Sequence, residues 1–124
     1  MNCKNESKEI LVVDDCPEMR AVMIDVLKEE GYIVIGAESG DDAMKLLRDL
    51  TFKVLVTDVD MPGMNGLELA RYVKKEYPDT EILIVTGSHE LCVAETVKEV
   101  GAEFMQKPFC LSALIETVRM LIGK

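Results

Sequence analysis

The sequence predicts an α/β protein built on a doubly wound, five-stranded parallel sheet. Apolar strand candidates alternate with amphipathic helix candidates five times along the 124 residues, which is typical of parallel strands joined by helices. The first, third and fourth strand candidates are nearly continuous apolar runs, as expected for strands covered on both faces. Because crossover connections are right-handed, we expect a (βα)5 arrangement with strand order 2-1-3-4-5.

The first half of the chain supplies strand candidates over residues 10–13, 32–35 and 53–57. After the first strand, apolar side chains recur at helical spacing, and Gly31 ends this helix. Ser39, with Asp42 three residues on, resembles a capping box with Asp in the Glu position and starts the second helix. The apolar stripes of the two helices are Met19, Val22, Met23, Val26 and Leu27, and then Ala43, Leu46, Leu47 and Leu50.

The second half supplies strand candidates over residues 82–85 and 103–106. The third helix follows Asn65-Gly66 and runs to Tyr77, where Pro78 stops it. The fourth helix spans about residues 90–100 and ends at Gly101. The third helix has a less regular apolar stripe, the fourth has three residues that should face inward, and the fifth has an apolar set of five. These residues are Leu67, Ala70 and Val73, then Val93, Val97 and Val100, and then Leu111, Leu114, Ile115, Val118 and Ile122.

Polar side chains stand at the ends of four of these strands. Asp14 and Asp15 follow the first strand, Asp58 the third, Thr86 the fourth and Lys107 the fifth. Ligands of open α/β sheets bind outside the carboxyl ends of the strands, at the point where the strand order reverses. That point lies between the first and third strands, which both end in aspartate. A site with several carboxylates, one cation and one hydroxyl suits a divalent metal and a phosphoryl group.

The three aspartates carry the metal hypothesis. Asp14, Asp15 and Asp58 would repel one another, and without a counter-charge some of them would take up protons. Mg²⁺ resolves this repulsion because it prefers a few carboxylates and keeps several waters. A single aspartate here would be better explained as a loop residue or a helix N-cap, but three at converging strand ends favour a functional site. Asp58 is the candidate nucleophile, since a carboxylate can accept a phosphoryl group as an acyl phosphate.

Four further features gain a functional interpretation only because they lie near this site. Thr86 offers an O–H donor and Lys107 a compact cation, both useful to a phosphoryl group, although alone each has an ordinary structural explanation. Pro108 makes a cis Lys107–Pro108 bond an option, which would fix the direction of the lysine. The loop of residues 61–66 directly follows the third strand and offers backbone carbonyls to a metal.

The composition of the chain excludes several classes of function. The formal net charge of −9 argues against non-specific binding to a nucleic-acid backbone, which needs clustered Lys and Arg. No apolar run approaches the roughly 20 residues of a membrane helix. The four cysteines, Cys3, Cys16, Cys92 and Cys110, form no CxxC pair and the chain has one His, so we expect free thiols rather than a zinc site.

The chain is expected to form one domain. The polar N-terminus has no apolar signal region behind it, and we interpret residues 1–7 as a disordered lead-in to a domain over residues 8–124. The lack of a signal region also leads us to expect a cytoplasmic protein, in which free cysteines are the usual state.

Four motifs, in this order and each at a strand end, resemble the receiver domain of two-component response regulators. They are Asp14-Asp15, residues 58–66 (DVDMPGMNG), Thr86-Gly87 and Lys107-Pro108-Phe109. The resemblance covers about residues 8–122; any one motif is weak, but the ordered set is specific. It implies the flavodoxin-like (βα)5 fold and a signalling switch that receives a phosphoryl group from a histidine kinase or a histidine phosphotransfer protein.

The resemblance also implies a role for each acidic residue. Asp58 would be the phosphoacceptor and also a Mg²⁺ ligand. Asp15 would be the main acidic ligand of the metal, with Asp14 as a second acid that often acts through water. The backbone carbonyl of Asp60 would complete the protein's contacts to the metal. The side chain of Asp60 lies at a position that tunes phosphoryl lifetime in the family, so we expect an altered dephosphorylation rate without assigning its sign.

The remaining implied roles concern the switch and its partners. Lys107 would pair with the phosphoryl group, and Thr86 would hydrogen-bond it and move inward on activation. Phe104 would turn inward with Thr86 and change the face built from helix four, strand five and helix five. The structural alternative is that Phe104 is a core aromatic, which is compatible with this role. Output would pass to an effector protein or to an output domain outside this sequence, and phosphorylation-dependent homodimerisation through that face is a further expectation.

Other functions remain open at this point. Asp58-Val59-Asp60 is similar to the paired aspartates of haloacid-dehalogenase-type phosphatases, although those enzymes place the pair on the first strand and are longer. A flavodoxin-like cofactor binder is disfavoured because Asp14-Asp15 would repel a cofactor phosphate. A third alternative to the signalling switch is an interaction module that works without phosphorylation. The presence of all five core site residues argues against this alternative. We expect no separate substrate to be turned over.

Overall fold

The computed structural model describes residues 7–87 and 91–124, with five strands and five helices in strict alternation. The strands are β1 (Ser7–Val13), β2 (Val34–Ala37), β3 (Thr51–Asp58), β4 (Glu81–Thr86) and β5 (Glu103–Gln106). The helices are α1 (Pro17–Glu29), α2 (Gly40–Asp49), α3 (Gly66–Glu76), α4 (Leu91–Val100) and α5 (Leu111–Ile122). This is the predicted alternation of elements.

The five strands form one sheet in the order β2-β1-β3-β4-β5. All four pairings are parallel, so the predicted doubly wound topology is confirmed. Val13 lies beside Thr57 in the register of β1 and β3, and Asp58 lies beside Val85 in that of β3 and β4. The carboxyl ends of the three central strands therefore lie at the same edge of the sheet.

Alternate side chains of the central strands enter two separate hydrophobic layers. Ile10 and Val12 face a layer completed by α1 and α5, whereas Leu11 and Val13 face a layer completed by α2, α3 and α4. All four of these β1 side chains are fully buried. The central strands are thus covered on both faces, which explains why their sequences are continuous apolar runs.

Several boundaries and orientations differ from the prediction. β2 begins two residues later than expected, because Ile33 is exposed while Gly36 and Ala37 pair with the end of β1. Leu111 belongs to the apolar set predicted for α5 but is 39% exposed, whereas Leu121, which is not in that set, is buried. β1 begins at Ser7, and the rest of the proposed lead-in, residues 1–6, lies outside the described residues.

Helix caps place two helix starts at the functional edge of the sheet. The Ser39 hydroxyl accepts a hydrogen bond from the Asp42 amide at 3.1 Å, which confirms the predicted N-cap of α2. A full capping box occurs instead at α3, where Asn65 Oδ1 accepts from the Glu68 amide at 2.9 Å and Glu68 Oε1 accepts from the Asn65 amide at 3.0 Å. The sequence contained this signal, an Asn followed three residues later by Glu, and our prediction did not use it.

None of the helices in the described part of the chain is long and apolar enough to cross a membrane.

Candidate functional site

The carboxylates predicted at the ends of β1 and β3 meet in one cluster. One oxygen from each of Asp14, Asp15 and Asp58 lies within 4.8 Å of the others. Asp14 and Asp58 are buried, whereas Asp15 is exposed. The cluster therefore has a buried floor of two carboxylates and a third at its solvent-facing rim.

Asp14 is held by contacts to both of its carboxylate oxygens. Its Oδ1 accepts a hydrogen bond from the Cys16 amide at 2.9 Å, just before α1. Its Oδ2 accepts from Lys107 Nζ at 3.3 Å. The residue is fully buried, and a buried carboxylate needs such partners to remain charged.

Asp58 ends β3 and is similarly constrained. Its Oδ1 accepts a hydrogen bond from the Val59 amide at 2.8 Å, and its Oδ2 lies 3.5 Å from Lys107 Nζ. The Thr57 hydroxyl donates to the Asp58 main-chain carbonyl at 2.8 Å. Oδ2 is thus the carboxylate oxygen that faces the lysine.

Gly66 allows the loop after β3 to close tightly against Asp58. Its amide donates to the Val59 carbonyl at 2.9 Å. A methyl group built at Gly66 would overlap the Asp58 carbonyl oxygen. Glycine is therefore required here for close approach rather than for an unusual φ. The sequence marked this residue only as part of a turn.

Lys107 reaches the cluster from the loop after β5. One ammonium group faces two carboxylates, with Nζ 3.3 Å from Asp14 and 3.5 Å from Asp58. The Lys107 amide also donates to the Thr86 carbonyl at 3.0 Å, which ties this loop to the end of β4. The peptide bond between Lys107 and Pro108 is cis, the option that the sequence left open.

The charges in this site affect one another's protonation. Burial raises the pKa of Asp58 above its ordinary value of 3.8, and the negative charge of Asp14 acts in the same direction, while Lys107 and the Val59 amide oppose the shift. Burial lowers the pKa of Lys107, but the charges of Asp58 and Asp14 outweigh this and hold it above 10.5. An added cation near Asp58 would favour its charged form and so oppose the effect of burial on its pKa.

The other predicted residues surround this cluster at different depths. Thr86 is fully buried as the last residue of β4. Asp60 is exposed in the loop after β3. Phe104 in β5 is 40% exposed, so its interpretation as a core aromatic is wrong. Cys16 and Cys110 are free and exposed, as expected for those two thiols.

The donor set suits a hard divalent cation. Three carboxylates offer oxygen atoms within one small volume, and Mg²⁺ is bound by a few carboxylates together with water. A cation would also relieve the repulsion between the two buried carboxylates, which share a single lysine. The residues present therefore fit Mg²⁺, with Asp14, Asp15 and Asp58 as the available acids.

Comparison with known proteins assigns this fold and site to one family. Residues 10–119 match the sequence model of the family described as response regulator receiver domain. The chain belongs to the response regulator receiver domain family. Receiver domains are phosphorylation-activated signalling switches, and the acidic cluster described above fits that class.

Individual relatives agree with this assignment. The chain is 33% identical over 118 residues to the response regulator receiver protein CpdR of Brucella abortus, covering 94% of this chain and 98% of that protein. A CheY-like receiver domain structure from Methanospirillum hungatei superposes with a TM-score of 0.90 at 26% identity, over 95% of each chain. The response regulator TrrA of Thermotoga maritima, solved in complex with Mg²⁺-BeF, superposes with a TM-score of 0.84 at 33% identity, covering 92% of this chain and 98% of that one.

Proposed function

We propose that this chain is a phosphorylation switch that accepts a phosphoryl group on Asp58 from a histidine kinase or a histidine phosphotransfer protein. The observation that carries the proposal is the position of the Asp58 carboxylate. It lies at the end of a central strand, with Lys107 Nζ 3.5 Å from its Oδ2 and two further carboxylates in the same cluster. This arrangement supplies a nucleophile, a fixed cation and acidic metal ligands in one place.

In the proposed reaction, Asp58 Oδ2 attacks the phosphorus of a phosphohistidine. An O–P bond forms, the P–N bond breaks, and the electron pair of that bond stays on the imidazole. Oδ1 continues to accept the hydrogen bond from the Val59 amide at 2.8 Å, which orients the carboxylate while Oδ2 reacts. Lys107 then faces the new phosphoryl group in place of the former carboxylate charge. Because the transition state spreads charge over the phosphoryl oxygens, such fixed donors stabilise it.

Asp14, Asp15 and Asp58 would hold Mg²⁺, together with the backbone carbonyl of Asp60. When bound, the cation neutralises charge on the phosphoryl oxygens. The resemblance of this chain to TrrA, which was solved with Mg²⁺-BeF, supports a metal in this position. The exposed side of the cluster at Asp15 leaves the approach open to a donor protein.

We further propose that Thr86 and Phe104 transmit the change. Thr86 is buried at the end of β4 beside the site and its carbonyl accepts from the Lys107 amide. Phe104 lies two residues before the end of β5 and is 40% exposed, so a turn toward the interior would bury surface that now faces solvent. The surface formed by α4, β5 and α5 would then change shape and signal to an effector protein or output domain. Phosphorylation-dependent homodimerisation through this surface belongs to the same proposal.

The proposed protein acts in the cytoplasm, binds no nucleic acid directly and turns over no separate substrate. Residues 8–124 form the receiver domain in this proposal. The net charge of −9 supports the proposed lack of direct nucleic-acid binding. A phosphohydrolase acting on separate substrates has no specific structural observation in its favour.

Phosphorylation of Asp58 is tested by intact mass spectrometry after incubation with Mg²⁺ and acetyl phosphate. We expect the wild-type chain to gain about 80 Da, one phosphoryl group, and the gain to require Mg²⁺. The Asp58→Asn variant should show no gain, because an amide cannot form the acyl phosphate. A gain that persists in Asp58→Asn would place the phosphoryl group elsewhere, and the absence of any gain in a protein that binds Mg²⁺ would favour a phosphorylation-independent module.

The Asp60→Ala variant tests the effect of the exposed carboxylate on phosphoryl lifetime. Asp60 lies two residues after the acceptor, and its carboxylate can repel the phosphoryl group or position a water molecule. We expect the first-order decay rate of the phosphorylated protein to change by a factor of roughly 2 or more, which corresponds to a few tenths of a kcal/mol. Decay is followed by mass after removal of the donor, and an unchanged rate would remove Asp60 from the mechanism.

A further inference from the structure

Arg20 is a charged residue that contacts the site but has no part in the function described so far. It lies in the first part of α1, and its Nη1 donates a hydrogen bond to the main-chain carbonyl of Asp14 at 2.7 Å. This is a short bond from an ion to a neutral carbonyl, a class that is stronger than bonds between neutral groups. The guanidinium thus acts on the main chain of the acidic cluster rather than on its carboxylates.

The Arg20 bond completes the set of contacts around Asp14. The Asp14 amide donates to the Ala37 carbonyl at 3.2 Å, and its two carboxylate oxygens accept from the Cys16 amide and from Lys107. Every polar atom of Asp14 therefore has a partner, and these partners come from β2, from both ends of the first turn of α1 and from the loop after β5. Only the main-chain carbonyl depends on Arg20.

The Asp14 carbonyl matters because it belongs to the peptide unit that leads into Asp15. A peptide unit is planar, so fixing its oxygen also fixes the direction of the Asp15 amide and limits where the Asp15 Cα, from which the side chain departs, can lie. Asp15 is exposed, and a carboxylate at the surface has little packing to hold it in place. Its position over the cluster therefore depends on the backbone that Arg20 holds.

The surroundings of Arg20 prepare it for this contact. Its Cγ and Cδ lie against Gly36 in β2, 3.5 and 3.3 Å from where a methyl group on that glycine would stand. A methyl group there would also meet Ile24 Cδ1 at 2.5 Å. The aliphatic part of Arg20 thus lies on the strand at Gly36, where a methyl group would overlap Ile24 and crowd the Arg20 stem only slightly.

We propose that Arg20 is a positioning residue for the Mg²⁺ site, which orients Asp15 by fixing the Asp14–Asp15 peptide unit. The inference rests on the proposed function of the acidic cluster. Partners of this kind, which hold metal ligands without touching the metal, typically change metal affinity by roughly 10- to 100-fold when they are removed.

Coulomb interactions alone predict the opposite effect, which makes the proposal testable. Arg20 shares a surface cleft with Glu38, Asp42 and Lys45. Removing the arginine charge leaves this region more negative, and a more negative surface attracts a divalent cation more strongly. A loss of Mg²⁺ affinity on removal of Arg20 would therefore have to come from lost positioning.

The experiment measures Mg²⁺ binding to the unphosphorylated full chain by isothermal titration calorimetry, without a phosphodonor. We expect Arg20→Met to raise the Kd for Mg²⁺ roughly tenfold, and Arg20→Lys to raise it by less, since lysine keeps the charge on a shorter stem. Arg48→Met is the matched control: it removes the same charge from the last turn of α2, about 12 Å along that helix from its start at the functional edge. Its Kd should equal that of the wild type.

Phosphorylation provides a second measurement. At subsaturating Mg²⁺, acetyl phosphate should label Arg20→Met more slowly than the wild type, and saturating Mg²⁺ should restore the rate. An Arg20→Met protein that binds Mg²⁺ as tightly as the wild type, or more tightly, overturns the inference. If Arg20→Met does not fold, as judged by circular dichroism, an unchanged Kd in Arg20→Lys overturns it instead. Failure of the wild type itself to bind Mg²⁺ would contradict the proposed function and not the role of Arg20 alone.

Discussion

Replacing Gly66 by alanine is expected to destabilise the protein and to disrupt the acidic cluster at the same time. A methyl group at this position would overlap the Asp58 carbonyl oxygen, which already accepts a hydrogen bond from the Thr57 hydroxyl. The overlapping atoms belong to the main chain, which cannot move aside as the end of a flexible side chain can. Either the start of α3 must shift away from β3, or Asp58 must move, and both break the bond from the Gly66 amide to Val59.

We expect Gly66→Ala to lower the free energy of unfolding by about 3 kcal/mol or more, in the range of severe single substitutions. Chemical denaturation monitored by circular dichroism measures this change. Gly123→Ala is the matched control, since its methyl group would make only ordinary contacts, at 3.5 Å to the Arg119 carbonyl and 3.6 Å to that of Met120. We expect the control to lie within about 0.5 kcal/mol of the wild type.

The same variant should lose affinity for Mg²⁺. Asp58 is one of the three clustered carboxylates, and a shift of its main chain would move its side chain relative to Asp14 and Asp15. Calorimetric titration of folded Gly66→Ala with Mg²⁺ measures this loss. Wild-type stability and wild-type Mg²⁺ affinity in Gly66→Ala would show that the loop absorbs the methyl group without moving the site.

Replacing Lys107 by methionine is expected to destabilise the protein at neutral pH in the absence of Mg²⁺. Its ammonium lies 3.3 Å from Asp14 and 3.5 Å from Asp58, whose side chains are only 1% and 10% exposed. Removing one partner of a buried ion pair leaves a charge without compensation, which costs several kcal/mol when burial is complete. Because the Lys107 side chain is 25% exposed, we expect a smaller loss of about 2 kcal/mol.

The loss of stability in Lys107→Met should depend on pH, because Asp58 titrates. The folded-state pKa of Asp58 is raised above 3.8, chiefly by burial, so the folded protein binds this proton more tightly than the unfolded chain does. Stability from this group is therefore greatest at low pH and falls as pH rises from 3.8 through the raised pKa. Without Lys107 the pKa of Asp58 rises further, because the ammonium no longer opposes the shift, and the fall becomes steeper.

Urea unfolding at pH 4 and at pH 7 tests this prediction. The difference between wild type and Lys107→Met should shrink at pH 4, where Asp58 is more protonated, and Mg²⁺ should reduce it at pH 7 by supplying the missing positive charge. Lys124→Met is the matched control, since Lys124 makes an exposed ion pair with Glu81 at 3.9 Å, worth less than about 1 kcal/mol. An equal loss of stability at both pH values would contradict the electrostatic explanation and indicate that lost packing of the lysine stem is the cause.

Lys107 itself adds a second pH dependence to the wild-type protein. Its pKa is raised above 10.5 in the folded state because Asp58 and Asp14 outweigh the effect of burial. Its contribution to stability is therefore complete below pH 10.5 and is lost as pH rises through the raised folded-state value. Asp58 and Lys107 carry opposite charges, but both make the protein less stable as the pH rises. Each contribution falls over the pH range in which that group loses its proton.

Local patterns in the sequence were sufficient to predict the fold and the cluster of Asp14, Asp15, Asp58 and Lys107. Helical spacing and apolar runs identified the ten elements, because burial on one or both faces imposes these periods directly on the chain. The polar strand ends identified Asp14, Asp58 and Lys107 as neighbours, because parallel strands bring their carboxyl ends to one edge. The shift of β2 was missed because residues 32–35 are as apolar as a strand although Ile33 is exposed.

The contacts between particular atoms of the site were decided only by the tertiary structure. The contact of Arg20 with the Asp14 carbonyl and the close approach of Gly66 to Asp58 have no signature in sequence spacing, since each depends on how a helix packs beside a strand. The exposure of Phe104 depends likewise on what covers an edge strand. The sequence by itself determined which groups meet at this edge of the sheet, because topology follows from local periodicity. Which oxygen accepts from which donor, and hence which residues hold the site in place, was determined by packing in three dimensions.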